Sequence, residues 1–239
     1  MLRALFFDLD DTLFDHRRSA RAALDAVHQA FVPSVAFAEL ERHHANYLEE
    51  MHLEVLAGRM SLDDARRQRF RKVFEALGLP LGDADVERAA SAYRDGYVTA
   101  RHAIDGAVEL LAALQPRHRI AIVTNNLTDE QQQKLTACGL APYVDALVTS
   151  EQAGVSKPDP AIFRIALERL GVAAPESVMI GDSWSADVVG AIAAGIRPVW
   201  YNPLGLPKPA EPGDVEELRS LTPTHAAVAQ LARSLKPEA

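Results

Sequence analysis

Short β-branched or apolar runs recur along the chain and alternate with segments whose apolar residues follow helical spacing. The runs are the opening one, which ends at Phe7, and residues 119–123, 145–149, 177–180 and 197–200. Strands that alternate with helices are typical of a parallel sheet covered by helices on both faces. We therefore predict an α/β fold with a doubly wound, Rossmann-like parallel sheet.

Helix-boundary signals support this reading. Residues 161–170 follow Asp159 and Pro160 and end at Gly171, and a similar segment covers residues 127–138. Aspartate is a good N-cap, proline suits the first helical turn, and glycine suits the position after the last turn. These signals predict a helix at each of the two segments.

The pattern of apolar residues changes between residues 15 and 101, where β-branched runs disappear and apolar residues recur at helical spacing. We predict two domains: an α/β core made of residues 1–14 and 102–239, and an all-helical insert of residues 15–101. Within the core, a proline-rich loop at residues 203–212 is expected to lead to one or two surface helices.

Composition narrows the classes of function. The 239 residues are 48% hydrophobic and 24% charged, which is enough to bury a substantial core, and the net charge of -8 argues against binding of a nucleic acid polymer. The single cysteine, Cys138, excludes an internal disulfide and fits a reducing compartment. No apolar run approaches the roughly 20 residues of a membrane span, and no export signal is recognisable, so we expect a cytoplasmic protein without membrane contact.

Polar residues follow each predicted strand where the strand ends. In an open parallel sheet, the ligand site lies at the carboxyl ends of the strands. The residues there are Asp8 and Asp10 after the first strand, Thr124, Asn125 and Asn126 after the second, Lys157 beyond the third, Asp182 after the fourth, and Asp187 on the helix that follows. We expect these strand ends to converge on one site.

The predicted site carries more negative than positive charge, because its four aspartates are opposed by Lys157 alone. Two like charges about 4 Å apart cost about 4 kcal/mol at an effective dielectric constant of about 20, so such a cluster takes up protons or binds a cation. Oxygen ligands of this kind favour Mg²⁺, which commonly also coordinates a substrate phosphate. With Lys157 and the Thr124 hydroxyl, the ion would hold phosphoryl oxygens that otherwise repel an attacking carboxylate.

Four separated segments together resemble the motifs of the haloacid dehalogenase-like hydrolase superfamily. In order, they are DLDDT at residues 8–12, VTNN at 123–126, SKPDP at 156–160 and GDSWSAD at 181–187. The resemblance implies a phosphatase with a Rossmann-like core and a helical cap domain inserted between the first and second motifs. Within the superfamily, the sequence is most similar to the nucleotide 5'-phosphatase and N-acylneuraminate-9-phosphatase-like group.

The resemblance also implies catalytic roles. Asp8 would be the nucleophile that forms an aspartyl-phosphate, and Asp10 would protonate the leaving oxygen and later activate water as a base. Thr124, Asn125 and Lys157 would bind the phosphate of a small phosphorylated metabolite.

A magnesium site is implied as well. The ligands would be the Asp8 carboxylate, the Asp10 backbone carbonyl and Asp182, with Asp187 in contact with the ion or just behind it. Asp10 favours a phosphatase, because dehalogenases of the superfamily need no metal and typically lack an acid two residues after the nucleophile. A 2-haloacid dehalogenase, a phosphomutase and a catalytically silent phosphometabolite-binding protein remain alternatives, and the substrate and oligomeric state stay open.

Two groups of residues in the insert are better explained as surface residues than as ligand-binding sites. The basic run at residues 66–72 is spread around a helix and alternates with Phe70 and Val73, which predicts a solvated helix face more strongly than a phosphate site. The histidines among residues 43–52 lack the i, i+4 spacing of a helical zinc site, so we expect them on the surface.

Overall fold

A four-residue strand, Ala4–Phe7, forms the centre of the sheet, and all four of its side chains are completely buried. The computed structural model describes residues 3–79, 81–211, 213 and 215–234. Six parallel strands lie in the order β3-β2-β1-β4-β5-β6. They are β1 (Ala4–Phe7), β2 (Arg119–Thr124), β3 (Ala146–Thr149), β4 (Ser177–Gly181), β5 (Arg197–Tyr201) and β6 (Glu216–Leu218). The predicted α/β class with a doubly wound parallel sheet is confirmed.

The strand register brings the predicted site residues to one edge of the sheet. Phe7 pairs with Ile122 of β2 and with Ile180 of β4. The backbone N–H of Asp8 then donates to the Ile180 carbonyl at 2.9 Å, so Asp8 still lies beside β4 as the chain leaves the sheet. Thr124 is the last residue of β2, at the same carboxyl edge.

Ten α-helices occupy the part of the chain that the structure describes. They are α1 (His16–Phe31), α2 (Phe37–Leu56), α3 (Leu62–Ala76), α4 (Asp83–Thr99), α5 (Ala107–Leu114), α6 (Thr128–Ala137), α7 (Ser150–Ala153), α8 (Pro160–Leu170), α9 (Gly190–Ala193) and α10 (Thr224–Ser234). A wider helical segment, Trp184–Val189, runs directly into α9. The boundary signals of α8 act as predicted: the Asp159 carboxylate accepts the Ala161 N–H at 2.8 Å, and Gly171 ends the helix in the left-handed region at φ 61°.

The end of the chain differs from the sequence prediction. The loop that starts at Pro203 leads first to the edge strand β6 and then to a single helix, α10, instead of to helices alone. Two of the three β6 residues are glutamates, and the strand pairs on one side only, with β5. Charged edge strands are common, and they lack the apolar run by which the other strands were recognised. Pro212, the last residue of the predicted loop, lies outside the described residues.

The chain divides into two compact units, one made of residues 1–15 and 102–239 and the other of residues 16–101. The first unit, called the core unit below, holds the sheet and α5 to α10. The connections to the insert lie side by side within it: the Asp15 N–H donates to the His102 carbonyl at 2.9 Å, and Phe14 pairs with Ala103 in an antiparallel bridge. Among the described residues, no helix combines the length and the apolar character needed to cross a membrane.

The second unit, called the helical unit, contains α1 to α4, with α1 packed on α4 and α2 on α3. α1 and α4 approach closely at Gly96, where an added Cβ would lie 3.0 Å from the Ala23 Cα. Ser61 caps α3 by accepting the Asp64 N–H at 3.1 Å. The interior of this unit is therefore formed by amphipathic helices without any strand among its described residues.

Arg69 and His44 of the helical unit are buried, at 4% exposure each, although the sequence predicted both on the surface. Arg69 lies one turn before Val73 on the apolar face of α3, and its guanidinium sits 4.9 Å from the Tyr93 ring centroid. Burial, and then the charge of Arg69, lowers the pKa of His44 well below its ordinary value. His44 is therefore neutral at physiological pH.

Candidate active site

A buried ion-pair cluster lies at the carboxyl edge of the sheet. The Lys157 ammonium Nζ lies 2.6 Å from the Asp8 Oδ1 atom and 2.6 Å from the Asp187 Oδ1 atom. Asp8 leaves β1, Lys157 precedes α8, and Asp187 lies on the helical segment after β4, so three elements meet here. The three residues are 7%, 5% and 1% exposed, which makes this a desolvated group of charges.

Asp182 completes the cluster. Carboxylate oxygens of Asp8, Asp182 and Asp187 all lie within 4.8 Å of one another. Burial raises the pKa of Asp8 well above its usual range; the Lys157 charge opposes this shift, and the Asp187 and Asp182 charges add to it. Burial acts to lower the pKa of Lys157, but the charges of Asp187 and Asp8 outweigh it and raise that pKa above its ordinary value.

These residues fit a divalent metal ion. Three carboxylates converge on one point, and Lys157 balances only part of their charge. A buried carboxyl whose pKa is raised by its acidic neighbours is one that a cation would return to the charged state. Hard oxygen donors in this arrangement suit Mg²⁺.

Backbone geometry keeps the cluster compact. A Cβ atom on Gly181 would lie 2.2 Å from the Asp187 Oδ2 atom, so only glycine fits at the end of β4. The Asp187 Oδ2 atom accepts the Ser183 N–H at 2.9 Å, which fixes the orientation of this carboxylate. Thr12 joins the other two acids, because its hydroxyl donates to Asp8 Oδ2 at 3.3 Å and accepts the Asp182 N–H at 3.1 Å.

Asn125 holds the loop that carries Lys157. Its side-chain amide donates to the Lys157 carbonyl at 2.9 Å, and its side-chain oxygen accepts the Lys157 N–H at 2.7 Å. This pair of hydrogen bonds ties the end of β2 to the loop before α8. The Asn125 side chain therefore positions the Lys157 main chain.

The Asp10 side chain belongs to a second polar group, formed with α6 and the loop before it. The Lys134 ammonium lies 2.6 Å from Asp10 Oδ1, while the amides of Gln131 and Asn126 donate to Asp10 Oδ2 at 3.1 and 3.3 Å. The Gln131 amide also donates to the Thr124 hydroxyl oxygen at 2.7 Å. Because that oxygen accepts from Gln131, the Thr124 hydroxyl hydrogen is available to donate to another acceptor.

The family model for haloacid dehalogenase-like hydrolases matches residues 2–195 of the chain, which covers both groups of site residues. The chain belongs to this family. It is therefore an enzyme, a hydrolase with a Rossmann-like core, as its sequence motifs and parallel sheet both indicate.

Several characterised relatives of this haloacid dehalogenase-like hydrolase are phosphatases. It is 32% identical to the phosphoserine phosphatase of Thermus thermophilus over 244 residues, covering 91% of this chain and 95% of the relative. It is 31% identical to the pyrimidine 5'-nucleotidase YjjG of Escherichia coli over 201 residues, covering 83% and 85%. These matches support the phosphatase side of the superfamily.

Solved structures of the family share the whole fold. The HAD-hydrolase YfnB of Bacillus subtilis, in a crystal structure bound to magnesium, has a TM-score of 0.76 at 26% identity and 99% coverage of both chains. A 2-haloacid dehalogenase from Pseudomonas syringae has a TM-score of 0.66 at 26% identity, covering 98% of this chain and 100% of that one. A HAD-hydrolase and a dehalogenase thus share this fold, so the fold alone does not decide the activity of the chain.

Three residues of the site were not predicted from the sequence of this hydrolase: Thr12, Gln131 and Lys134. Thr12 lies within the DLDDT motif but was given no role. Gln131 and Lys134 lie inside α6, away from the strand ends where site residues are expected. A signal was present, because α6 has few apolar residues and must fill its buried face with Gln131, Lys134 and Leu135.

Proposed function

We propose that the protein is a Mg²⁺-dependent phosphatase that hydrolyses a small phosphomonoester through an aspartyl-phosphate on Asp8. The observation that carries this proposal is the Asp8, Asp182 and Asp187 cluster, with Lys157 bonded to two of its members. A nucleophilic carboxylate requires positive charge around it to approach a phosphoryl group, and this cluster can gather that charge.

In the first step, a carboxylate oxygen of Asp8 attacks phosphorus while the bond from phosphorus to the leaving oxygen breaks. For this step Asp10 must carry a proton, which it donates to that oxygen so that the product leaves as an alcohol. The carboxylate that accepts from Lys134 is the form needed for the second step. In this proposal Lys157, which lies 2.6 Å from Asp8, contacts the phosphoryl oxygens, and the Thr124 hydroxyl donates to one of them.

In the second step, the oxygen of a water molecule attacks phosphorus and the bond from phosphorus to Asp8 breaks. Asp10 accepts one proton of that water, and inorganic phosphate leaves while the Asp8 carboxylate is restored. The same side chain thus serves first as acid and then as base.

The carboxylates of Asp8 and Asp182 and the backbone carbonyl of Asp10 would hold the Mg²⁺ ion, with Asp187 in contact with the ion or just behind it. When bound, Mg²⁺ supplies positive charge that offsets the repulsion between Asp8 and the phosphoryl oxygens. The donor set supports this assignment because it consists of oxygens only, with Lys157 leaving part of the negative charge unbalanced.

The substrate class is a small phosphorylated metabolite of the nucleotide or sugar phosphate type. Relatives of the chain include an N-acylneuraminate-9-phosphatase from Mus musculus, 27% identical over 219 residues, besides the nucleotidase and the phosphoserine phosphatase. We also propose that residues 15–101 are the cap domain that selects among such substrates, since the core motifs recognise only the phosphate.

Dehalogenation is the second candidate, favoured by the structural similarity to the Pseudomonas syringae enzyme. Asp10 argues against it, because halide departure needs no proton donor and dehalogenases of the superfamily typically lack an acid two residues after the nucleophile. Transfer to a second hydroxyl, as in a phosphomutase, would use the same two aspartates, and a silent binding protein would need neither of them.

One assay distinguishes these functions. We expect release of phosphate from p-nitrophenyl phosphate with Mg²⁺ and its loss in EDTA, and Asp8→Asn should lower the rate by at least about 10³-fold because no nucleophile remains. Chloride release from 2-chloropropionate without metal, and no phosphatase activity, would favour a dehalogenase. Isomerised sugar phosphate without phosphate release would favour a mutase, and ligand binding without turnover on a broad phosphate panel would favour a silent binder.

A further inference from the structure

The Asp10 side chain is held by several hydrogen bonds although solvent reaches it. Its side chain is 26% exposed, yet its oxygens accept from Lys134, Gln131 and Asn126. Donors on both oxygens fix the plane of a carboxylate as well as its position. Asp10 is therefore presented in one orientation.

Lys134 is the one charged donor among these three, and its side chain is buried. Its side chain is 3% exposed, and its ammonium lies 5.0 Å from the centroid of the Phe14 ring as well as 2.6 Å from Asp10. Lysine is seldom buried in proteins, because desolvating the ammonium is costly unless a partner compensates. At the exposed pair of Lys72 and Glu50 the nitrogen-oxygen distance is also 2.6 Å, but the side chains are 38% and 52% exposed.

Gln131 connects Asp10 with the phosphate-binding side of the site. It is fully buried, and its amide donates to Asp10 Oδ2 and to the Thr124 hydroxyl. Gln131 and Lys134 are three residues apart in α6, so one face of a single helix contacts both the proposed base and the proposed phosphate ligand.

We propose that Lys134 is a positioning residue that sets the Asp10 carboxylate for the hydrolysis of the aspartyl-phosphate. This inference rests on the proposed phosphatase function. In that step, the water oxygen bonds to phosphorus, the bond from phosphorus to Asp8 breaks, and one water proton passes to Asp10. Proton transfer needs the base within hydrogen-bond reach of the attacking water, so a displaced carboxylate slows this step.

The formation of the aspartyl-phosphate from p-nitrophenyl phosphate provides an internal reference. Nitrophenolate is a good leaving group that departs without a proton, so this step depends on Asp8 and little on Asp10. A variant that disturbs Asp10 alone should therefore slow the release of phosphate. It should leave the rate of nitrophenol release in the first turnover unchanged. A general loss of structure would slow both steps together.

The experiment is a rapid-mixing measurement on Lys134→Met in the presence of Mg²⁺, with nitrophenol and phosphate followed separately. We expect phosphate release to slow at least about tenfold, with nitrophenol release within about threefold of the wild type. The steady-state kcat and KM should then fall together while kcat/KM is kept, with a burst of one nitrophenol per active site. Lys134→Arg, which keeps a charged donor, should recover most of the phosphate-release rate.

Gln132→Ala is the matched control, since Gln132 lies on the exposed side of α6 between the two buried residues. It should leave both rates unchanged. If Lys134→Met does not fold, Lys134→Gln carries the same expectation. Equal rates in the variant and the wild type, or a parallel loss of both steps, would overturn the proposal, whereas absence of nitrophenol release from the wild-type enzyme would overturn the proposed phosphatase function itself.

Discussion

Two lysines of the core unit contact aspartates at the same distance of 2.6 Å, yet their surroundings differ in charge balance. Lys157 is shared between Asp8 and Asp187, with Asp182 close by, so carboxylates outnumber the ammonium. Lys134 faces Asp10 together with neutral amide donors. The first group contains more carboxylates than ammonium groups, which supports the proposed binding of a cation there, whereas the second pairs one carboxylate with one ammonium.

Of the expected effects, the largest is the loss of stability in Lys157→Met. Removing one member of a buried ion pair leaves uncompensated charge and costs about 3–5 kcal/mol in the free energy of unfolding. Mg²⁺ should recover part of this loss, because the ion binds only the folded site. Denaturation in EDTA and in Mg²⁺ measures both quantities.

Lys72→Met is the control for distance alone, because its partner is exposed. We expect at most about 1 kcal/mol there, with no dependence on Mg²⁺. Equal losses in the Lys72 and Lys157 variants would mean that burial and charge balance do not distinguish the two pairs.

The second effect is a link between Mg²⁺ and protons. The raised pKa of Asp8 means that the metal-free folded protein keeps a proton that the unfolded chain has lost, so its stability falls as pH rises from the ordinary aspartate range toward that raised pKa. Mg²⁺ must displace this proton, and its affinity should rise by up to about tenfold per pH unit within that window.

Calorimetric titration in buffers of different ionisation enthalpy counts the released proton directly. In Asp8→Asn the titrating group is gone, so its Mg²⁺ affinity, although weaker, should change little with pH. A wild-type Mg²⁺ affinity that does not change as pH rises above the ordinary aspartate range would contradict the link.

The smallest effect is expected for the stability of Lys134→Met. Asp10 is partly exposed and keeps two amide donors, so we expect a loss of about 1 kcal/mol in the free energy of unfolding. Unlike the loss in Lys157→Met, this one should be the same in EDTA and in Mg²⁺. A strong recovery by Mg²⁺ would place Lys134 in the same electrostatic unit as Lys157.

Five of the six strands could be predicted because each contains an apolar or β-branched run that is buried at its carboxyl end, and β1, β2 and β4 in the middle of the sheet are buried along nearly their whole length. β6 could not be predicted, because its sequence, Glu-Glu-Leu, has no apolar run. It is a strand because it pairs with β5 at the edge of the sheet. Likewise, the buried positions of Arg69 and His44 depend on which side of each helix packs inward, and tertiary packing decides this where apolar spacing is interrupted.

The candidate site follows the same division. Asp8, Thr124 and Asp182 could be located from the sequence because strand ends must meet at one edge of the sheet. Lys134 and Gln131 reach the site from the middle of α6, and their direction depends on how that helix lies on the sheet. Asn125 was placed in the right region, but its bonds to Lys157 depend on the path of a loop far away in sequence.

The joined connections at Asp15 and His102 have a consequence for how such an enzyme can change over time. The chain leaves and re-enters the core unit at two hydrogen-bonded neighbours, so the helical unit is a closed loop inserted into the core. The entropic cost of closing a loop grows only slowly with its length. An ancestor could therefore lengthen, shorten or replace the insert without moving the carboxylates at the strand ends. If the insert selects the substrate, as proposed, chemistry and selectivity are encoded on separate stretches of the chain, and a protein engineer can exchange one without redesigning the other.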